Sequence, residues 1–318
     1  MFFAFGGITS KPNKGIWEFR YPKNCLHYEI EREQIMKNKI LLWLVLVVVC
    51  GTAFSQELQT GLSEKSFSPK DWSKEKVNKQ ITWYQLKSGE LFGEPQSINV
   101  VKIDLRKHRY DVSMVYSDSA RVLLSEMAED KDALAAINGT FFDMKKGGSV
   151  VFLKVDDTII TPPNPEAGAM IREAAFVVGD SVRVVEFPKE EWGNWHPAFE
   201  DIMVSGPMLI KDGKLVEPDS VAFNTTKHPR SAVGITPDYQ LLLVTADGRH
   251  KDKAVGLSMK ELGILMEALN CKNAMNLDGG GSTTLWLQEE GVVNYPSDNK
   301  LFDHEGARTV ANGIVILK

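Results

Sequence analysis

Apolar positions along this chain change their period several times, and each change marks an element. The stretch SINVVKIDL alternates apolar and polar residues in the twofold period of a half-buried strand, and YDVSMVYS repeats the pattern. In VLLSEMAEDKDALAAI, Leu124, Met127 and Ala128 take helical spacing before an apolar strand follows. The clearest helix is GLSMKELGILMEALN, where Leu262, Leu265, Met266 and Leu269 line one face. Ser258 and Glu261 stand at capping-box spacing, and Leu257 and Leu262 at the positions of a hydrophobic staple. Beyond this helix, NAMNLDGGGSTTLWL reads as a short buried strand, a glycine turn and a second strand, while SGPMLIKDGKLV reads as a hairpin turning at Asp212-Gly213. The order lacks a regular strand-helix alternation. The expected fold class is therefore α+β, a single domain with a mixed, mostly antiparallel β-sheet and a few packed helices.

The opening of the chain has another pattern. From Met36, MKNKILLWLVLVVVCGTAFSQ joins a basic end at Lys37 and Lys39 to an apolar run and a small-x-small site, Ala53-Phe54-Ser55, which is the layout of a secretory signal peptide. The run is shorter than the roughly 20 apolar residues of a membrane span, and no transmembrane span is expected in the mature form. Residues 1–35 read as an upstream extension from a misassigned start, 36–55 as the signal, 56–80 as a polar tether and 81–318 as the catalytic domain. A periplasmic or extracellular protein of bacterial type is expected. Lipoprotein anchoring through Cys50 is a second reading, weakened by Val49 where a small residue is needed. Cleavage before Gln56 would remove Cys25 and Cys50 and leave Cys271 without an intramolecular partner, so a core rather than disulfides must hold the fold.

The chain carries a net charge of −5 and no basic stripe, so a nucleic-acid partner is not expected. Five stretches could carry chemistry. Asp278-Gly279-Gly280-Gly281-Ser282-Thr283 is either a tight turn or a concave anion site made of bare backbone N–H groups with hydroxyl donors. Asn138-Gly139 with Phe141, Phe142 and Asp143 is either a hairpin turn or a sugar site that joins an amide, a carboxylate and an aromatic surface. In KHPRSAVGI, Arg230 at a strand start could grip a phosphate through two parallel hydrogen bonds or form a surface ion pair, and His228 could move a proton. LLLVTADGRH delivers Asp247 to the end of a buried strand. GARTVANGIVIL sets Arg308 and Asn312 before a closing strand.

Taken in order, AAINGTFFD, SGPMLIKDG, HPRSAVGI, LLLVTADGR, AMNLDGGGSTTLWL and ARTVANGIVIL resemble the sequence blocks of the phosphodiester glycosidase family, over about Ile98 to Ile316. SVVFLKVDDTII, after Gly148, departs from that pattern, and residues 162–195 have no counterpart. The resemblance implies hydrolysis of a sugar 1-phosphodiester of the N-acetylglucosamine type at the C1–O bond, releasing sugar and a phosphomonoester. It carries Asn138, Asp143, Arg230, Asp247, Asp278, Gly279 to Ser282, Arg308 and Asn312 over as matching positions. On the chemistry, Asp278 is the first catalytic candidate, Asp143 the second and Asp247 the third, with Arg230 and the glycine N–H groups on the departing phosphate. No cofactor is required by this scheme. A rival scheme holds Mg²⁺ or Ca²⁺ on the same three aspartates and cleaves P–O, and another binds a glycan or glycosyl phosphate without turnover.

Overall fold

The computed structural model describes residues 72–106, 111–117 and 120–318. The extension, the signal peptide, Cys25, Cys50 and the tether up to residue 71 lie outside these residues.

Every strand pairing among the described residues is antiparallel, and the strands form three sheets. The eight-stranded sheet holds β1 (Trp72–Lys76), β2 (Ile81–Leu91), β3 (Glu94–Asp104), β14 (Gln240–Ala246), β13 (Arg230–Ile235), β15 (Asn273–Asn276), β11 (Met208–Lys211) and β12 (Lys214–Leu215), in that spatial order. A five-stranded sheet runs β7 (Thr158–Thr161), β6 (Leu153–Val155), β10 (Asp201–Ser205), β8 (Ala174–Val178), β9 (Arg183–Glu186). The third runs β17 (Gly291–Val292), β16 (Leu285–Leu287), β5 (Ala135–Asn138), β18 (Asn312–Ile316), β4 (Val112–Tyr116). Four short helices accompany them: α1 (Leu124–Glu129), α2 (Trp192–Trp195), α3 (Ala222–Thr225) and α4 (Met259–Ala268).

The twofold period of the strands sorts their side chains into an inner and an outer set. Inward, Val101, Ile103, Ile137, Phe176, Met203, Val233, Leu243, Met275 and Ile314 from all three sheets meet in one core. Outward, Val100, Ala232, Leu242 and Val244 are covered by Leu262, Leu265 and Met266 of α4 and by Leu269 just after it. Ala136 and Val315 lie under Leu124 and Met127 of α1, and Ala175, Val177, Ile202 and Val204 under Phe152, Phe187 and Phe199, with Trp192 and Trp195 packed on them. Strands buried on both faces read as continuous apolar runs, as LLLVTA does. Ser258 accepts from Glu261 N and the Glu261 carboxylate accepts from Ser258 N, so the expected capping box forms. Leu257 and Leu262 share one cluster, as a staple requires.

Two expectations are corrected. Residues 72–76 belong to no tether: they pair with Leu86 to Thr82 as the edge strand β1, anchored by Trp72 on the α4 side of the sheet. The glycine segment closes no hairpin, because β15 and β16 belong to different sheets. Cys271 is buried and free, and burial raises its thiol pKa far above the usual range.

Candidate functional site

The registers bring one end of many strands together. Arg230 pairs with Ala246, Ala232 with Asn276, Ile137 with Leu285 and Asn138 with Gly313. The ends of β5, β14 and β15 and the starts of β13, β16 and β18 thus converge on one rim, where polar residues replace the apolar run. Asn138 is the hub, at 1% exposure. Its Oδ1 accepts from Ser231 Oγ (2.7 Å) and Thr284 N (3.1 Å), and its Nδ2 donates to Asp278 O (2.7 Å). Asp278 N donates in turn to Gly139 O at 2.9 Å, so the Asp278 backbone is clamped on both sides. Asn312, equally buried, accepts from Thr140 N at 2.7 Å and holds the segment after Asn138.

Above this scaffold sits Asp278, half-buried as a residue. Burial pushes its pKa up to about 6, against the opposing pull of Ser282, the Arg308 charge and the Gly279 N–H. Ser282 Oγ lies close enough to exert that pull without a hydrogen bond of good geometry. A carboxyl poised near 6 can exchange a proton at physiological pH.

The glycines answer to the protein's own side chains. A Cβ on Gly281 would lie 1.9 Å from Asp298 Oδ1 and 2.2 Å from Arg308 Nη2; one on Gly280 (φ +63°) would lie 2.9 Å from Arg249 Nη2; one on Gly279 would lie 2.8 Å from Pro229 O. Gly280 N, Ser282 N and Thr283 N donate to backbone carbonyls, so the open row of anion-binding N–H groups expected from the sequence is largely consumed. What the missing side chains admit are two guanidinium groups, Arg308 against Gly281, whose charge acts on Asp278, and Arg249 against Gly280. Arg308 is fixed by Asp298 through Nε–Oδ2 (2.6 Å) and Nη2–Oδ1 (2.8 Å), and Arg249 Nη1 donates to Ser297 Oγ at 3.2 Å.

A family model for phosphodiester glycosidase matches residues 131–317. The chain belongs to the phosphodiester glycosidase family. It is 28% identical over 202 residues to the SPbeta prophage-derived uncharacterized protein YomE of Bacillus subtilis (strain 168), covering 60% of this chain and 30% of that one. Against the human N-acetylglucosamine-1-phosphodiester alpha-N-acetylglucosaminidase it is 26% identical over 196 residues, covering 56% and 36%. The chain thus spans about a third of the length of these relatives, 30% and 36%. The zebrafish catalytic domain of that enzyme, described as auto-inhibited by its pro-peptide, shares the fold at a TM-score of 0.60 and 21% identity, over 80% of this chain and 86% of that domain. A hypothetical protein from Synechocystis does so at a TM-score of 0.60 and 17% identity, covering 78% and 64%.

Within the stretch matched to the family, several expected site residues take other places. Arg230 does not face an open phosphate site with its fork: it is 1% exposed, Nε donates to Leu257 O and Nη2 to Phe223 O and Thr226 O, and burial lowers its pKa to about 10. It braces the α3 turn from below, with its guanidinium 5.0 Å from the Phe223 ring. Asp247 is sealed from solvent. Ser97 Oγ, Asn294 Nδ2 and Tyr295 N occupy its oxygens at 2.7, 3.0 and 2.8 Å, and it ties β3 to the 293–304 loop. Asp143 accepts from Lys145 N and Lys146 N and caps its own turn, which holds its pKa below the usual carboxylate range. Among the described residues no group of three His, Cys, Asp or Glu side chains stands close enough to hold a metal ion, so Asp143, Asp247 and Asp278 do not gather as the rival metal scheme needs.

Asn138, Gly139, Ser282, Thr283 and Asn312 are buried at the rim. Phe142 is core, whereas Phe141 stays half-exposed and pairs with Phe223 at 6.1 Å, an aromatic wall near Arg230. His228 is half-buried, and burial, Arg230 and Arg249 lower its pKa, which favours the neutral imidazole. Arg249, Asp298 and Phe223 were missed by sequence reasoning. Only Arg249 had a signal, its place directly after Asp247-Gly248 at a strand end.

Proposed function

We propose that this protein hydrolyses a sugar 1-phosphodiester at the C1–O bond, with Asp278 as the group that exchanges the proton. The observation that carries this reading is the carboxyl of pKa about 6 held beside the Arg308 guanidinium, with Arg249 packed against the neighbouring Gly280. Ionised Asp278 takes a proton from a water molecule that forms its bond to C1, while the C1–O bond breaks and its electron pair leaves with the phosphate. Arg308 and Arg249 face the charge that gathers on the leaving phosphate, which suits a transition state of oxocarbenium character. A phosphate departs readily as an anion, so a second protonated acid is not demanded of Asp143 or Asp247. The Phe141 and Phe223 rings supply an apolar surface for a sugar face.

The human relative's name makes an N-acetylglucosamine 1-phosphodiester the first substrate to test. The Met36 to Ser55 segment is consistent with action outside the cytoplasm. No helix among the described residues is long and apolar enough to cross a membrane. The deciding experiment is turnover in oxygen-18 water by the wild type and Asp278→Asn. Label in the released sugar, and its loss in the variant, is the expected result. Label in the phosphate would move the reading to P–O cleavage, and no release from a panel of sugar 1-phosphodiesters would leave a binding protein.

A further inference from the structure

Next to Arg249, the rim continues into a cavity of about 200 Å³ lined by Gly248, Arg249, His250, Tyr295, Ser297, Asp298, Lys300, Leu301 and Phe302. It shares two walls with the site, since Arg249 abuts Gly280 and Asp298 abuts Gly281. Its aromatic lining is a stack of Tyr295 on Phe302 at 4.0 Å, with the His250 ring 5.1 Å from Phe302. Its charge is cationic. Arg249 and Lys300 line it, Lys253 lies 4.9 Å from the Phe302 ring and Lys87 5.5 Å from that of Tyr295, while the one lining carboxylate, Asp298, is committed to Arg308. Both lining cations adopt left-handed backbone conformations, Arg249 at φ +65° and Lys300 at φ +61°. Such a conformation is disfavoured for a long side chain and persists where the surroundings enforce it, which often marks a ligand clamp. His250 Nδ1 is buried there without a hydrogen-bond partner.

These features need an occupant that is small and negatively charged. The volume is below the roughly 300 to 1,000 Å³ of pockets for larger ligands, so one polyol or phosphate unit fits and an oligosaccharide does not. We infer that this cavity is the subsite for the alcohol half of the phosphodiester, and that it prefers an alcohol carrying a second anionic group, such as the next phosphate of a phosphodiester-linked chain. The assignment to the alcohol half rests on the hydrolase reading above; the anion preference rests on the cavity alone. With the scissile phosphate between Arg308 and Arg249, a second phosphate one polyol further on meets Lys300 and the far edge of Arg249.

The test compares two substrates that differ only in the alcohol, a sugar 1-phosphate methyl ester and a sugar 1-phosphate ester of glycerol phosphate. It also measures direct binding of glycerol phosphate by calorimetry. Lys300→Asn removes the charge and keeps a residue that tolerates the left-handed backbone, so the fold is spared. Lys300→Arg keeps the charge. The expected result is kcat/KM about tenfold higher for the glycerol phosphate ester, from a charge-assisted contact. That preference should be lost in Lys300→Asn and kept in Lys300→Arg, and glycerol phosphate binding should follow the same order. Equal kcat/KM for the two substrates, or a preference that Lys300→Asn leaves intact, would overturn the subsite while the hydrolase reading stands. No turnover of either substrate, with Lys300-dependent binding retained, would sink the hydrolase reading and leave the anion site in place.

Discussion

Asp247 and Asp278 invite comparison because they begin alike. Each lies just past the end of a strand in the eight-stranded sheet and directly after an apolar residue, each is followed by glycine, and burial pushes each pKa up to about 6. Their surroundings then diverge. Asp247 has its oxygens filled by Ser97, Asn294 and Tyr295 and no opening to solvent. Asp278 is half-buried as a residue, with only Ser282 and the Gly279 N–H near its carboxyl and the Arg308 charge beside it. A raised pKa by itself therefore does not mark a carboxyl for the proton-transfer role proposed for Asp278. Access and hydrogen-bonding capacity left unfilled are what set it apart from Asp247.

The largest effect that tests this difference is on turnover. Asp278→Asn should lower kcat by roughly 10²- to 10⁴-fold, with a cooperative unfolding transition retained, because a proton-transfer group is lost and packing is not. Comparable kcat in the variant would break the comparison. Asp247→Ala should do the reverse. Unpairing Ser97, Asn294 and the Tyr295 N–H should cost about 3 kcal/mol in urea unfolding, while turnover per folded molecule falls far less than in Asp278→Asn.

A smaller effect lies in pH dependence. The Asp278 folded pKa of about 6 exceeds the ordinary aspartate value of 3.8, so the native state binds the extra proton and its stability falls as pH rises between those values. Asp278→Asn removes that slope, so the variant should gain on the wild type by about 1 to 3 kcal/mol from pH 4 to pH 7, read from paired urea midpoints. In the same range, kcat/KM of the wild type should rise with a midpoint near 6 as the base ionises; a flat profile would remove Asp278 from that role. Smallest is Gly281→Ala, whose methyl would displace the Asp298 and Arg308 side chains. An activity loss on the order of tenfold with unchanged cooperativity of unfolding is expected, since flexible side chain ends give way before the backbone does.

Much of the fold was legible in the residues. The capping box at Ser258 and Glu261, the apolar face of α4, the alternation through β3 and β4 and the hairpin at Asp212-Gly213 are local signals, and each appears where the pattern set it. Family membership was legible too, because the motif blocks keep their order along the chain. The early part of the domain was harder to read. WSKEK of β1 looks like a tether because an edge strand with one face in water needs little beyond Trp72 to hold it.

The site was legible only in outline. Asp278, Arg308 and the glycines, all named from the sequence, lie side by side in the fold, but the reason for the glycines could not be read, since Arg249, Asp298 and Pro229 approach them from other segments. Arg230 and Asp247 were credited with contacts to substrate because arginine and aspartate at strand ends commonly have them. Their buried partners come from α3, β3 and the loop after β17, and no local pattern announces such partners. Sequence alone determined periodicity, caps, turns and the family, all of which depend on neighbours along the chain. Which carboxyl is filled and which stays open was decided by strand register across three sheets, because hydrogen-bond saturation is set by residues far apart in sequence that only the folded core brings together.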